Sequence, residues 1–173
     1  MDRQDYDFPR QLLLEADALI SAGDVHFEAN DFESAIPLYT QALELRRAAL
    51  GEEHEEIAVA LNRLANVFYQ LNDAPSAGEL FERALAIREA VLPHNAPELR
   101  LSVNNLANVY RNQGRFSEAE QLYVRSLRMR EQETGHINHP AIWRNLVRVL
   151  EGQSKVAEAA EYDERIRVFE SEN

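Results

Sequence analysis

Apolar residues recur along this chain at helical spacing. Leu61, Leu64, Ala65 and Phe68 fall at i, i+3, i+4 and i+7, and Val103, Leu106, Ala107 and Tyr110 repeat the series 42 residues later. Each set draws one apolar stripe along an amphipathic helix. A second series follows each first one, as in Ala77, Leu80, Phe81, Ala84 and Leu85. Asn30, Asn72 and Gly114 stand between paired helices, and these residue types tolerate the left-handed conformation that ends a helix. Gly51, Pro93 and Gly135 close the second helices, while Pro97 and Pro140 suit the first turn of the next. The pattern predicts eight antiparallel helices in four pairs.

The pairs are copies of one another. "NDFESAIPLYTQALELR" from Asn30, "NDAPSAGELFERALAIR" from Asn72 and "GRFSEAEQLYVRSLRMR" from Gly114 align without gaps at a 42-residue period. Alanine recurs at 35, 77 and 119, an aromatic at Tyr39, Phe81 and Tyr123, and a small residue at Ala42, Ala84 and Ser126. A weaker fourth copy follows at a 40-residue offset, with Ala159 in the alanine place. Self-similarity at this scale means stacked supersecondary units. The boundaries fall near 9–51, 52–93, 94–135 and 136–173, one repeat domain over 9–173 behind an acidic tail at 1–8. The alanines let paired helices approach, the aromatics fill the space beside them, and both are core positions.

Paired asparagines complicate this simple picture. Asn62 with Asn66, and Asn104 with Asn108, sit four apart inside helices, where asparagine is a poor former. Asn62, Asn66 and Tyr69 share one face; so do Asn104, Asn108 and Arg111 one repeat later, and Arg144, Arg148 and Glu151 in the fourth copy. The first copy offers Ile20, Asp24 and Phe27 at the same offsets. Asparagine donates to a peptide carbonyl and accepts from a peptide amide, and arginine adds a forked donor for carboxylate. A column of such residues suits an extended peptide. The competing reading gives Asn66 and Asn108 a scaffold role against a neighbouring helix, and pairs Arg144 and Arg148 with surface glutamates. Arg46, Arg88 and Arg130 form a further series at the ends of the second helices, where a cation complements the helix dipole and reaches a carboxylate.

Composition removes several function classes. The net charge is −12, with ten acidic and four basic residues over 1–51 but five and six over 94–135. Such a balance argues against affinity for nucleic acid or anionic membranes, and any basic feature is local. Cysteine is absent, which fits a reducing compartment. No apolar run approaches the ~20 residues that span a bilayer, and "MDRQDYDFPR" lacks the pattern of a signal peptide. A cytoplasmic protein is expected. His54, His94, His136 and His139 are spread over connecting loops, so no metal site is expected; neither a nucleophile motif nor a phosphate loop occurs, and the reading is non-enzymatic with no cofactor.

The small, aromatic and small positions of the second helices, with Trp143 near the start of a first helix, resemble the tetratricopeptide repeat. Its usual unit is about 34 residues. The 42-residue form, with "NNLANVYRNQGRFSEAEQLYVRSLRMRE" and the connection "GHINHPAI", resembles the longer repeats of kinesin light chains and bacterial tetratricopeptide proteins. The resemblance implies an all-α, right-handed superhelical stack of four helix pairs, with the first helices lining its concave face. It also implies a peptide groove at Asn62, Asn66, Tyr69, Asn104, Asn108, Arg111, Arg144 and Arg148. Relatives that clamp a terminal carboxylate carry asparagine with lysine or arginine at these helix positions. Asn62, Asn66, Asn108, Arg144 and Arg148 match, except that asparagine stands where the clamp's first lysine would be. That departure favours an internal acidic segment as ligand. The expected role is a protein-binding adaptor, as a monomer or weak homo-oligomer; the alternative is an assembly module acting by self-association or docking. The aspartates around aromatics in "MDRQDYDF" also resemble a groove ligand, against the plainer reading of a solvating tail.

Overall fold

The structure, a computed structural model, describes residues 4–134 and 139–172. Eight helices run α1 (Gln4–Glu28), α2 (Phe32–Leu50), α3 (Glu55–Gln70), α4 (Ala74–Val91), α5 (Pro97–Asn112), α6 (Phe116–Thr134), α7 (Pro140–Gly152) and α8 (Val156–Glu172), and the described residues hold no strand. They group into two compact units, 1–93 and 94–173, each of two helix hairpins. The break coincides with the boundary between the second and third repeats. Helix α1 begins at Gln4, so most of the segment expected as a tail is helical. Pro9 sits in its second turn, where the missing N–H removes a single intrahelical bond. Gly135 and His136 lie outside the described residues.

Every hairpin turns by one device. Asn30, Asn72, Gly114 and Ser154 take φ of 59°, 58°, 73° and 61°. The next residue then donates its N–H five positions back: Asp31 to His26, Asp73 to Phe68, Arg115 to Tyr110 and Lys155 to Leu150, at 2.8 to 2.9 Å. This bond occupies a carbonyl that the helix end would otherwise leave unpaired. Asp31 and Asp73 also accept from the N–H of Ser34 and Ser76, capping α2 and α4. The Ser34 and Ser76 side chains foremost, then His26 at Asp31, and after these the backbone N–H groups hold both carboxyls below the usual range.

The core follows the repeat. Ala35, Ala77 and Ala119 are fully buried beside Tyr39, Phe81 and Tyr123, all at most 2% exposed. Burying one such aromatic contributes about 1.5 to 3 kcal/mol. In the first unit Ala16, Ala35, Tyr39, Ala42, Leu64 and Val67 pack together, and Leu43, Ile57, Leu61 and Ala84 form a neighbouring cluster. In the second unit Ala107, Tyr123, Ile142, Trp143, Leu146 and Leu150 make one cluster. Trp143 meets Phe169 edge to face at 6.3 Å.

Arg46 and Arg88 turn inward rather than trailing in solvent. Arg46, 5% exposed, donates to the Glu56 carbonyl at 3.0 Å and to the Asp17 carboxylate at 2.8 Å. It also pairs with the Glu56 carboxylate at 2.7 Å, so one guanidinium ties α2 to α1 and to the start of α3. Arg88 does similar work against Glu55 at 2.9 Å.

Candidate functional site

In the first unit the candidate face is built from α1 and α3. The Tyr39 hydroxyl, carried on α2, donates to Asp24 Oδ1 at 2.7 Å. Arg63 on α3 meets the same carboxylate with both arms of its fork, Nε to Oδ1 at 2.9 Å and Nη2 to Oδ2 at 3.0 Å. Burial first, and then the bond to Asp24, pushes the Tyr39 phenol up, so it stays a neutral donor. Asp24, Phe27, Tyr39, Arg63 and Asn66 line a cavity of about 180 Å³. Asn66 is half-buried at its edge, and Phe81, the aromatic of its own repeat, has no hydroxyl to offer it. Asn62, one turn earlier, keeps its Oδ1 buried with no donor against it among the described residues. Tyr69 is half-buried at the end of α3.

The second unit repeats the arrangement with other residue types. Tyr123 donates to Asn108 Oδ1 at 2.6 Å, and Asn145 on α7 donates to the same oxygen at 3.2 Å. Arg111 donates in turn to Asn145 Oδ1 and, at 3.2 Å, to Asn112 Oδ1. Asn108 and Arg111 are thereby committed to a chain of side chains that joins α6, α5 and α7. Arg144 pairs with Glu170 of α8. Two of the expected residues are left over. Asn104 has its Oδ1 buried without a donor among the described residues, as Asn62 does. Arg148 is exposed on α7 and makes no ion pair or hydrogen bond among the described residues.

Asp24 and Asn108 hold equivalent places, and so do Arg63 and Asn145 once the 40-residue offset of the fourth copy is allowed for. Arg63 and Asn145 escaped the sequence reading although each directly follows an expected residue, Asn62 and Arg144. One step along a helix turns a side chain by about 100°, away from the expected face and toward the preceding repeat. The available signal was a forked donor at 63 facing an aspartate at 24 where the other copies carry asparagine.

Two of the histidines serve the backbone. His54 and His139 cap α3 and α7, their Nδ1 atoms accepting from the N–H of Glu56 and Ile142. Burial foremost, with Arg130 next, pushes the His139 imidazole pKa down, which keeps Nδ1 an acceptor. Among the described residues no group of three His, Asp or Glu side chains is placed to hold a metal ion. None of the described helices is long and apolar enough to cross a membrane.

Comparison with known proteins agrees with the repeat fold. The tetratricopeptide repeat family matches residues 14–90 and again residues 101–141, together more than half of the chain. No curated protein sequence matches. Among solved structures, BtubC (BKLC) from P. vanneervenii superimposes with a TM-score of 0.81 at 19% identity, over 90% of this chain and 63% of that one. A kinesin-light-chain-like protein of Podosopora anserina, built of nearly identical repeats, gives 0.76 at 21% identity over 91% and 75%. The apo form of RapI gives 0.80 at 16% identity over 92% and 57%. This chain thus spans under two thirds of the length of BtubC and of RapI.

Proposed function

This chain belongs to the tetratricopeptide repeat proteins, with repeats like those of kinesin light chains, and from that premise we propose that it is a non-enzymatic adaptor for an extended acidic peptide. The first helices of its repeats carry the binding residues. The observation that supports this most is a contrast within α5 and α7. Asn108, Arg111 and Asn145 spend their hydrogen bonds on one another, whereas Asn104 and Arg148 keep theirs unspent. A buried acceptor without a donor costs about 1 to 3 kcal/mol, so a ligand N–H that meets Asn104 Oδ1, once the side-chain amide turns outward, recovers that penalty. Arg148 offers a fork to a ligand carboxylate. On α3, Asn62 has the same orphaned acceptor and Asn66 an unspent amide beside the cavity over Arg63. The absence of cysteine fits a cytoplasmic setting for such an adaptor.

The test uses a blocked synthetic peptide rich in Asp and Glu and its Asn/Gln counterpart, both followed by fluorescence anisotropy. The acidic peptide is expected to bind at least tenfold more tightly, and Asn104→Ala with Arg148→Ala to abolish that preference. Equal affinity for the two peptides, or a preference that survives the double variant, overturns the proposal. Asn108 is a poor probe, because losing it also breaks the link to Tyr123 and Asn145.

A further inference from the structure

A second recess lies on the second unit and uses neither α5 nor α7. Val124, Leu127, Arg128 and Glu131 of α6, with Tyr162 and Arg165 of α8, line a cavity of about 190 Å³. Its floor is apolar, for Leu127 is 5% exposed and Val124 and Tyr162 pack on the core. Its rim is mainly cationic. Arg128 is exposed and Arg165 rests over the Tyr162 ring at 5.2 Å, and among the described residues neither makes an ion pair. Sites for small molecules usually enclose about 300 to 1,000 Å³, so this recess is sized for one anchoring side chain. Two arginines beside a glutamate are too few for a nucleic-acid backbone on a chain of net charge −12.

The complementary chemistry lies at the other end of the sequence. Residues 1–93 carry 18 acidic and 7 basic side chains, whereas residues 94–173 carry 12 and 11. The first eight residues, MDRQDYDF, set three aspartates around Tyr6 and Phe8. Phe8 is 66% exposed, a large apolar side chain with nothing over most of its surface. We propose that the recess between α6 and α8 receives the Asp2–Phe8 stretch of a second copy of this chain. Phe8 enters over Leu127 and Tyr162, and the neighbouring aspartates meet Arg128 and Arg165. Such a contact is heterologous, joining unlike surfaces of two copies, and each addition leaves a free segment and a free recess. Weak, salt-sensitive, concentration-dependent chain growth follows from it.

Sedimentation velocity from low micromolar to millimolar protein tests this. The sedimentation coefficient of the intact chain is expected to rise with concentration and to fall back in half-molar salt. Two variants then separate the halves of the contact, Arg128→Glu/Arg165→Glu in the recess and Asp5→Lys/Phe8→Ala in the segment. Arg128, Arg165 and Phe8 are exposed, and circular dichroism verifies that each variant is folded. Alone, each stays monomeric; mixed, they form a dimer and nothing larger, because one retains the segment and the other the recess. Arg148→Ala leaves association unchanged, which keeps the result distinct from the peptide face on α5 and α7. An intact chain that is monomeric at every concentration, or a mixture that forms no dimer, overturns the inference.

Discussion

The Tyr123 hydroxyl donates to Oδ1 of Asn108 at 2.6 Å, and Tyr39 donates to Asp24 in the equivalent place of the first repeat. In both, a core aromatic reaches through the helix pair to hold a polar residue at the surface of a first helix. A net hydrogen bond contributes about 0.5 to 1.5 kcal/mol, and about 1.5 to 3 when one partner is charged. Tyr39→Phe is therefore expected to lose more stability in urea than Tyr123→Phe. Equal losses would show that Arg63 already satisfies Asp24.

Phe81→Tyr makes the converse point. By the repeat, a hydroxyl there points at Asn66, whose amide has no hydrogen bond among the described residues. The variant is expected to stay within about 1 kcal/mol of the parent, since the new polar atom gains a partner. A loss near 3 kcal/mol in the same urea titration would mean that Asn66 does not turn to meet it.

Gly23 faces Tyr39 so closely that an added Cβ would lie 2.6 Å from the ring. Alanine gains about 1 kcal/mol of helix propensity over glycine, but overpacking costs about 1 to 3 kcal/mol. The ring cannot retreat while its hydroxyl is held by Asp24. Gly23→Ala is expected to be net destabilising by thermal unfolding, and less so in a Tyr39→Phe background, where the ring is released.

His139 gives the second unit a pH dependence. Its folded pKa lies below the ordinary 6.5, so stability is fully present above that value. As pH falls below it, the unfolded chain takes up the proton first and stability is lost toward the folded pKa. Urea midpoints are expected to drop between pH 7.5 and 5.5, and His139→Asn, which retains a capping oxygen without titrating, to flatten that slope.

The ion pairs of Arg46 and Arg144 should differ in weight. Arg46→Met removes bonds to Asp17 and Glu56, both open enough to rehydrate, and is expected to cost about 1 to 2 kcal/mol. Arg144→Ala breaks a pair whose members are both half-exposed, and is expected to cost under about 0.5 kcal/mol. Denaturant midpoints of the two variants compare them directly.

Helix count, pairing and turn positions were legible because each rests on local chemistry. The stripe Leu61, Leu64, Ala65, Phe68 marks a helix face, and Asn30, Asn72 and Gly114 mark left-handed ends. Ser154 does the same work without a recognisable signal, since serine has no special liking for that conformation. The face of Asn108 was also legible, but its partners were not. Periodicity says which way a side chain leaves its own helix, not which atoms of a neighbouring repeat await it. Asn145 lies 37 residues further on and Tyr123 lies 15, and only packing brings both to one oxygen. Asn104 and Asn108 look interchangeable in the sequence and end in different roles.

The side-chain tie from Asp24 to Arg63 runs 39 residues along the chain, the longest of those described above and shorter than one 42-residue repeat. A tie of this length joins only neighbouring repeats, so gaining or losing a whole repeat disturbs the partners of its immediate neighbours and no others. Duplication and deletion of repeats are thus low-risk routes of change for this protein, and variation in length is open to it where most folds can vary only in their loops.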